Sequence, residues 1–246
     1  MKNCNILIVD NSIQLREALA YFFKKSGFTV FEAGDGKIAW EILKATKIEL
    51  IVSDIRMPEL DGFTLLRKLR EDDSLKHIPL IFVTGFADLS SDEAYQHGAN
   101  DIFSKPFDPE DILASAIELL KPKVERWAGN DISQADSYKQ VINLKANELL
   151  FSQQGQNINF GNSGFFVHCE QAQPEEGELI RFEIEFSNGE IKKLNCLGRV
   201  AWNRPKIDNK KTPGYGVQIV ALDSETSLSF IDKLEHSKVS ATIPAN

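Results

Sequence analysis

Cysteine is scarce in this 246-residue chain. Cys4, Cys169 and Cys196 are an odd, widely spaced set with no C-x-x-C. That argues against a disulfide scaffold and reads as free thiols in a reducing compartment. Long apolar runs are also missing. Residues 6–9 and 79–83 are among the longest, far short of the ~20 residues of a membrane span. No apolar leader with a small-residue cleavage site opens the sequence, so a cytoplasmic location without membrane insertion is expected. A basic block is absent too. The net charge is -8, carried mainly by residues 1–120, where 13 Lys+Arg face 20 Asp+Glu; the remainder holds 15 against 16. No helix-turn-helix pattern or basic recognition helix is visible, so DNA is not an expected partner. His77, His97, His168 and His236 are dispersed, and no Ser/His/Asp or metal-ligand spacing appears. The expectation is a protein that is not an enzyme.

What is present is an ordinary globular composition, 42% hydrophobic and 26% charged, long enough for two domains. The first half alternates short apolar runs with helical periodicity. Strands are expected at 5–10, 29–33, 49–53, 77–84 and 101–104, and helices from Ser12, at 37–45, 63–69, 93–97 and 110–120. Five βα units with near-continuous apolar strands imply a doubly wound, five-stranded parallel sheet covered on both faces. Ligands of such sheets sit at the carboxyl ends of the strands, here Asp10, Asp54, Thr84 and Lys105.

Residues 122–139 are polar and weakly periodic and read as a linker with room for a helical turn. The domains are therefore expected at 1–121 and 140–246. In the second, the period changes to two. Strands are expected at 148–152, 164–168, 179–186, 192–202 and 214–220, with Asn188-Gly189 as a hairpin turn and a closing helix at 228–234. Short strands with intervening turns suggest a small antiparallel β-barrel.

Asp10 and Asp54 end neighbouring strands in this arrangement. Clustered carboxylates suit a hard, oxygen-loving divalent cation such as magnesium. Lys105 adds a fixed positive charge and Thr84 a hydroxyl, both suited to phosphoryl oxygens. Lys105-Pro106 reads as a tight-turn element that aims the lysine and as a candidate cis bond.

The stretches Ile6-Leu7-Ile8-Val9-Asp10, Ser53-Asp54-Ile55-Arg56-Met57-Pro58, Val83-Thr84-Gly85 and Ser104-Lys105-Pro106-Phe107 resemble, over residues 5–121, the CheY-like receiver domain of two-component response regulators. The resemblance implies that Asp54 is the phospho-acceptor and a histidine kinase the donor. It also implies Mg2+ on Asp10, Asn11, Asp54 and the Arg56 backbone carbonyl, with Thr84 and Lys105 reading the phosphoryl oxygens. Two positions depart from the pattern. Asn11 stands where a second acid is usual, which should weaken the metal. Ile102 stands where an aromatic ring usually reports phosphorylation. Asp61-Gly62 reads as the turn and cap of the third helix.

Between residues 148 and 234 the chain resembles a PilZ domain, on the stretches 159–167, Leu197-Gly198-Arg199-Val200-Ala201-Trp202 and Gly214-Tyr215-Gly216-Val217. PilZ domains that bind cyclic di-GMP carry Arg-x-x-x-Arg and Asp/Asn-x-Ser-x-x-Gly. This sequence keeps Asn159 and Gly164, but Gly161 replaces the serine, and residues 139–152 contain no arginine. Lysine cannot supply the flat bidentate fork that guanidinium offers a phosphate. Asn159, Gly161 and Gly164 are thus a degenerate motif, and Trp202 and Tyr215 read as core or rim of the barrel. The expected function is a response regulator whose PilZ-like domain binds an unidentified protein in motility or surface-behaviour signalling, with weak or no cyclic di-GMP binding. The alternative is a phosphorylation-gated cyclic di-GMP receptor.

Overall fold

The computed structural model describes residues 4–85, 91–128, 132, 138, 140–147, 149, 157–170, 173–204, 212–223, 227–237 and 242–243. The chain divides into two compact units. One holds residues 1–90 and 97–120, the other residues 91–96 and 121–246.

The first unit carries strands β1 (Asn5–Val9), β2 (Thr29–Ala33), β3 (Leu50–Ser53), β4 (Leu80–Thr84) and β5 (Asp101–Ser104). All are parallel, in the order β2-β1-β3-β4-β5. Its helices are α1 (Ile13–Lys25), α2 (Gly36–Ala45), α3 (Gly62–Glu71) and, after a short α4 (Ser91–Gln96) that groups with the second unit, α5 (Pro109–Leu120). The central strands are apolar at every position because successive side chains point to opposite faces and both faces are covered. Ile6, Ile8, Leu50, Val52, Ile81 and Val83 pack in one cluster with Leu19 and Phe23 of α1 and Ile112 and Ala116 of α5. Leu7, Ile51 and Phe82, equally inaccessible, take the opposite face.

Helix starts follow their caps. Asp35 accepts hydrogen bonds from the Lys37 and Ile38 amides, and Asp61 from the Thr64 amide at 2.6 Å. Gly27, at φ 94°, closes α1 in the left-handed region that glycine tolerates. The strand expected over 77–84 begins only at Leu80. The polypeptide before it is held by Arg70, which donates to the carbonyls of Lys76, Ile78 and Gly98 and to Asn100 Oδ1. Burial pushes that guanidinium down to about 10.

The second unit is one curled, six-stranded sheet of β6 (Val141–Ala146), β7 (Ile158–Phe160), β8 (Gly164–His168), β9 (Leu179–Phe186), β10 (Lys193–Arg204) and β11 (Gly214–Leu222). Their order is β6-β9-β10-β11-β8-β7. All pairings are antiparallel except β6 with β9, which is parallel. Two register shifts along β10, at Leu197/Gly198 and Val200/Trp202, give it the bend that a barrel wall needs. Phe160, Phe165, Phe182, Phe186 and Phe230 fill the interior, the last from α7 (Ser227–Glu235). The expected strands do not include β6 and β7; the first has no fully buried residue and the second is three residues long. Residues 148 and 150–152 of the strand expected over 148–152 lie outside the described residues.

The segment read as linker contains a further helix, α6 (Lys123–Trp127). Its Trp127 is 2% exposed and belongs to the barrel core. On the other side of the sheet Trp202 stacks on Phe166, with ring centroids 5.5 Å apart at 16°. The Arg204 guanidinium lies 5.1 Å from the Trp202 ring and pairs with Asp92 at 2.5 Å. Trp202 and Tyr215 are 2% and 3% exposed, which makes them packing residues and not an open stacking platform.

Candidate functional site

Four strand ends of the parallel sheet converge. Asp10 follows β1, Asp54 follows β3, Thr84 closes β4 and Lys105 follows β5. Asp10, Asp54 and Thr84 are 2%, 8% and 2% exposed. The Lys105 ammonium donates to Asp54 Oδ2 at 2.6 Å and to Asp10 Oδ2 at 3.1 Å. Residues separated by up to 95 positions therefore share one cation. Burial works against the charge on Lys105, but the hydrogen bonds and charges of Asp54 and Asp10 outweigh it and raise its pKa.

The remaining carboxylate oxygens are held by backbone. Asp10 Oδ1 accepts from the Ser12 amide at 2.7 Å, and Asp54 Oδ1 from the Ile55 amide at 2.6 Å. Arg16 donates to the Asp10 carbonyl at 2.5 Å. Asn11 and Arg56 are exposed beside these acids. The Lys105-Pro106 bond is cis. Thr84 and Lys105 are joined through backbone, the Lys105 amide donating to the Thr84 carbonyl at 2.7 Å.

Gly62 contributes more than a helix start. A Cβ placed there would lie 2.1 Å from the Asp54 carbonyl oxygen, and the Gly62 amide donates to the Ile55 carbonyl at 2.8 Å. The N-terminus of α3 is thus pressed onto the backbone of Asp54. Asp-Gly before an apolar helical pattern was the visible signal; the close approach was not visible in sequence.

The donor set fits a hard cation in type, because carboxylate, amide and carbonyl oxygens are all hard ligands. It is sparse in charge. Among the described residues no group of three or more His, Cys, Asp and Glu side chains is placed to hold a metal ion. With Asn11 in place of an acid, two carboxylates carry the negative charge.

The degenerate motif of the barrel forms a buried turn. Asn159 is 1% exposed, the Gly161 amide donates to the Gly164 carbonyl at 2.7 Å, and a Cβ on Gly164 would meet the Val217 carbonyl oxygen at 2.1 Å. Gly164 is therefore required by strand packing. Asn162, inside this turn, accepts a hydrogen bond from Lys123 of α6. Burial, reinforced by the charge of Arg126 and opposed by that of Glu235, pushes the Lys123 ammonium down to about 8. No described helix is long and apolar enough to cross a membrane.

Comparisons with known proteins match both halves of the chain. The response regulator receiver domain family matches residues 6–117, and the PilZ domain family matches residues 138–235. The chain is 34% identical over 146 residues to the "Response regulator Rre1" of Synechocystis, covering 57% of this chain and 63% of that protein. It is 32% identical over 173 residues to the "Probable transcriptional regulator ycf29" of Cyanophora paradoxa, covering 63% of this chain and 82% of that one. The receiver domain of Francisella response regulator 1452 aligns with a TM-score of 0.45 at 26% identity, over 48% of this chain and 97% of that one. The chain spans less than two thirds of the length of Rre1. The chain belongs to the response regulator family and joins a receiver domain to a PilZ domain.

Proposed function

We propose that Asp54 is the phospho-acceptor of a two-component system and that the PilZ barrel is the output. The observation that carries this reading is the shared ammonium of Lys105 on the buried carboxylates of Asp54 and Asp10. In the transfer, an Asp54 carboxylate oxygen bonds to phosphorus as the P–N bond to a histidine of the kinase breaks, and that histidine nitrogen takes a proton. Lys105, already on Asp54 Oδ2, is placed to follow the charge onto a phosphoryl oxygen. Thr84 offers its hydroxyl to another. Mg2+ would be held by Asp10, Asp54, the Asn11 amide oxygen and the Arg56 carbonyl, and supplies neutralisation of phosphoryl charge. The chain's own work is to fix the acceptor and to exclude water from it, as the low exposure of Asp54 and Asp10 supports.

The output reading is a protein-interaction role in motility or surface-behaviour signalling, in the cytoplasm. It is supported by the arginine-free segment 139–152, by Gly161 in the serine position and by the buried, structural placement of Asn159 and Gly164. Relatives named as transcriptional regulators suggest DNA as an output, but in this chain residues 138–235 match the PilZ family.

Acetyl phosphate or beryllofluoride with magnesium tests the acceptor by mass and conformational readout. Labelling of the parent but not of Asp54→Ala is expected; equal labelling of both would overturn the assignment. Calorimetry with cyclic di-GMP tests the output, and micromolar or tighter binding would favour the gated-receptor alternative.

A further inference from the structure

A cavity of about 610 Å³ opens on the barrel where the two ends of the curled sheet approach each other. Its size lies within the range of small-ligand sites, ~300–1,000 Å³. Ile142 and Leu144 of β6 line one side, and Val167 of β8 with Tyr215 of β11 the other. The rim is formed by the segment that leads into β9, with Glu175 and Glu178.

Three features define what it would take. First, no lysine or arginine lines it among the described residues. Secondly, neither Glu175 nor Glu178 pairs with a cation among the described residues. Glu178 is oriented by the Gln140 side chain at 3.3 Å and by the Glu175 amide at 3.2 Å, both neutral donors. Thirdly, Tyr215 lines the cavity with a ring that is almost wholly packed, 3% of the residue being exposed, and no described residue hydrogen-bonds its hydroxyl. Burial, with the neighbouring Cys169, raises its pKa, so the phenol stays protonated. The fully buried polar atoms without a partner lie elsewhere among the described residues, so this hydroxyl is open to the cavity and free to meet a ligand's polar group there.

We propose that this cavity is a binding site for a small organic cation, an ammonium or guanidinium on a short apolar body. The apolar walls receive the body, Glu175 and Glu178 the charge, and the Tyr215 hydroxyl accepts a hydrogen bond from the cationic N–H. The same lining repels a phosphodiester. The site is therefore separate in chemistry from the motif at Asn159–Gly164, and it does not depend on the acceptor role of Asp54.

The probe is benzylamine, cationic at neutral pH, titrated into the full-length 15N-labelled protein, with benzoate as the anion of like shape. Saturable shifts are expected at the amides of Ile142, Val167, Cys169 and Tyr215 with benzylamine and not with benzoate. Glu175→Gln combined with Glu178→Gln should weaken binding about tenfold or more, the scale of a lost charge-assisted contact. Tyr215→Phe should weaken it by a smaller factor. Glu175 is exposed, so Glu175→Gln alone retains the fold and gives an independent reading if the double variant does not. Equal response to benzoate, no saturable response to benzylamine, or unchanged affinity in Glu175→Gln and the double variant would each overturn the proposal.

Discussion

Gly62 and Asp54 are in backbone contact so close that a single methyl group on Gly62 would sit 2.1 Å from the Asp54 carbonyl oxygen. The start of the third helix and the loop that carries Asp54 therefore leave no room for a side chain between them.

Gly62→Ala should accordingly destabilise the receiver by about 1–3 kcal/mol, the usual cost of overpacking where backbone must shift. Urea unfolding reads the loss directly. A slower reaction with acetyl phosphate is expected as well, because the displaced backbone is that of Asp54. A wild-type midpoint in the variant would show that the loop yields freely.

Asn11→Asp restores a third negative charge beside Asp10 and Asp54. Calorimetric titration with magnesium should show tighter binding by about tenfold, since an added carboxylate near a divalent cation is worth on the order of 1–2 kcal/mol when partly screened. In the absence of metal the same change adds like-charge repulsion, so the melting temperature should fall and recover on adding magnesium.

Lys123 predicts a pH dependence with a definite sign. Its folded-state pKa is lowered to about 8, against 10.5 for the free side chain. Between those values the unfolded chain binds more protons than the folded one, so stability rises with pH across about 8 to 10.5. The rise has an upper limit of about 1.4 kcal/mol per pH unit. Lys123→Met should flatten this segment of the stability profile. Lys105 has the opposite sign. Its pKa is raised in the fold, so its contribution is complete below the unfolded lysine value and is lost as pH climbs through the folded one.

Arg70 holds three carbonyls and one amide side chain at once. Arg70→Met should cost about 2–3 kcal/mol, because acceptors at Ile78 and Gly98 lose their donor while partly screened from water. Thermal unfolding checks it. Hydrogen exchange should show the loosening concentrated at residues 76–80 and 98–100.

The parallel sheet was legible in sequence because a strand buried on both faces has to be apolar throughout, and residues 6–9, 50–52 and 80–83 are. The acidic pocket was legible for a related reason: chemistry in such sheets collects where strands end, and Asp10, Asp54, Thr84 and Lys105 each stand at an end. The barrel was less legible. Val141–Ala146 and Ile158–Phe160 are recruited by their neighbours, one by parallel pairing with β9 and one by β8, and their local patterns are too weak to announce it. The linker left room for a helical turn, but its polar composition did not announce that Trp127 of α6 enters the barrel core.

The sequence by itself determined which polar residues stand at strand ends, since residue type and strand-end position are local facts. It also fixed the charge at position 11, because an amide carries none wherever it lies. Only tertiary structure decided that Asp54 and Asp10 share the ammonium of Lys105, that Gly62 presses on the backbone of Asp54, and that Tyr215 faces a cavity rimmed by Glu175 and Glu178. Those are contacts between segments far apart in the chain. They exist because packing brings them together, and no local periodicity encodes a distance.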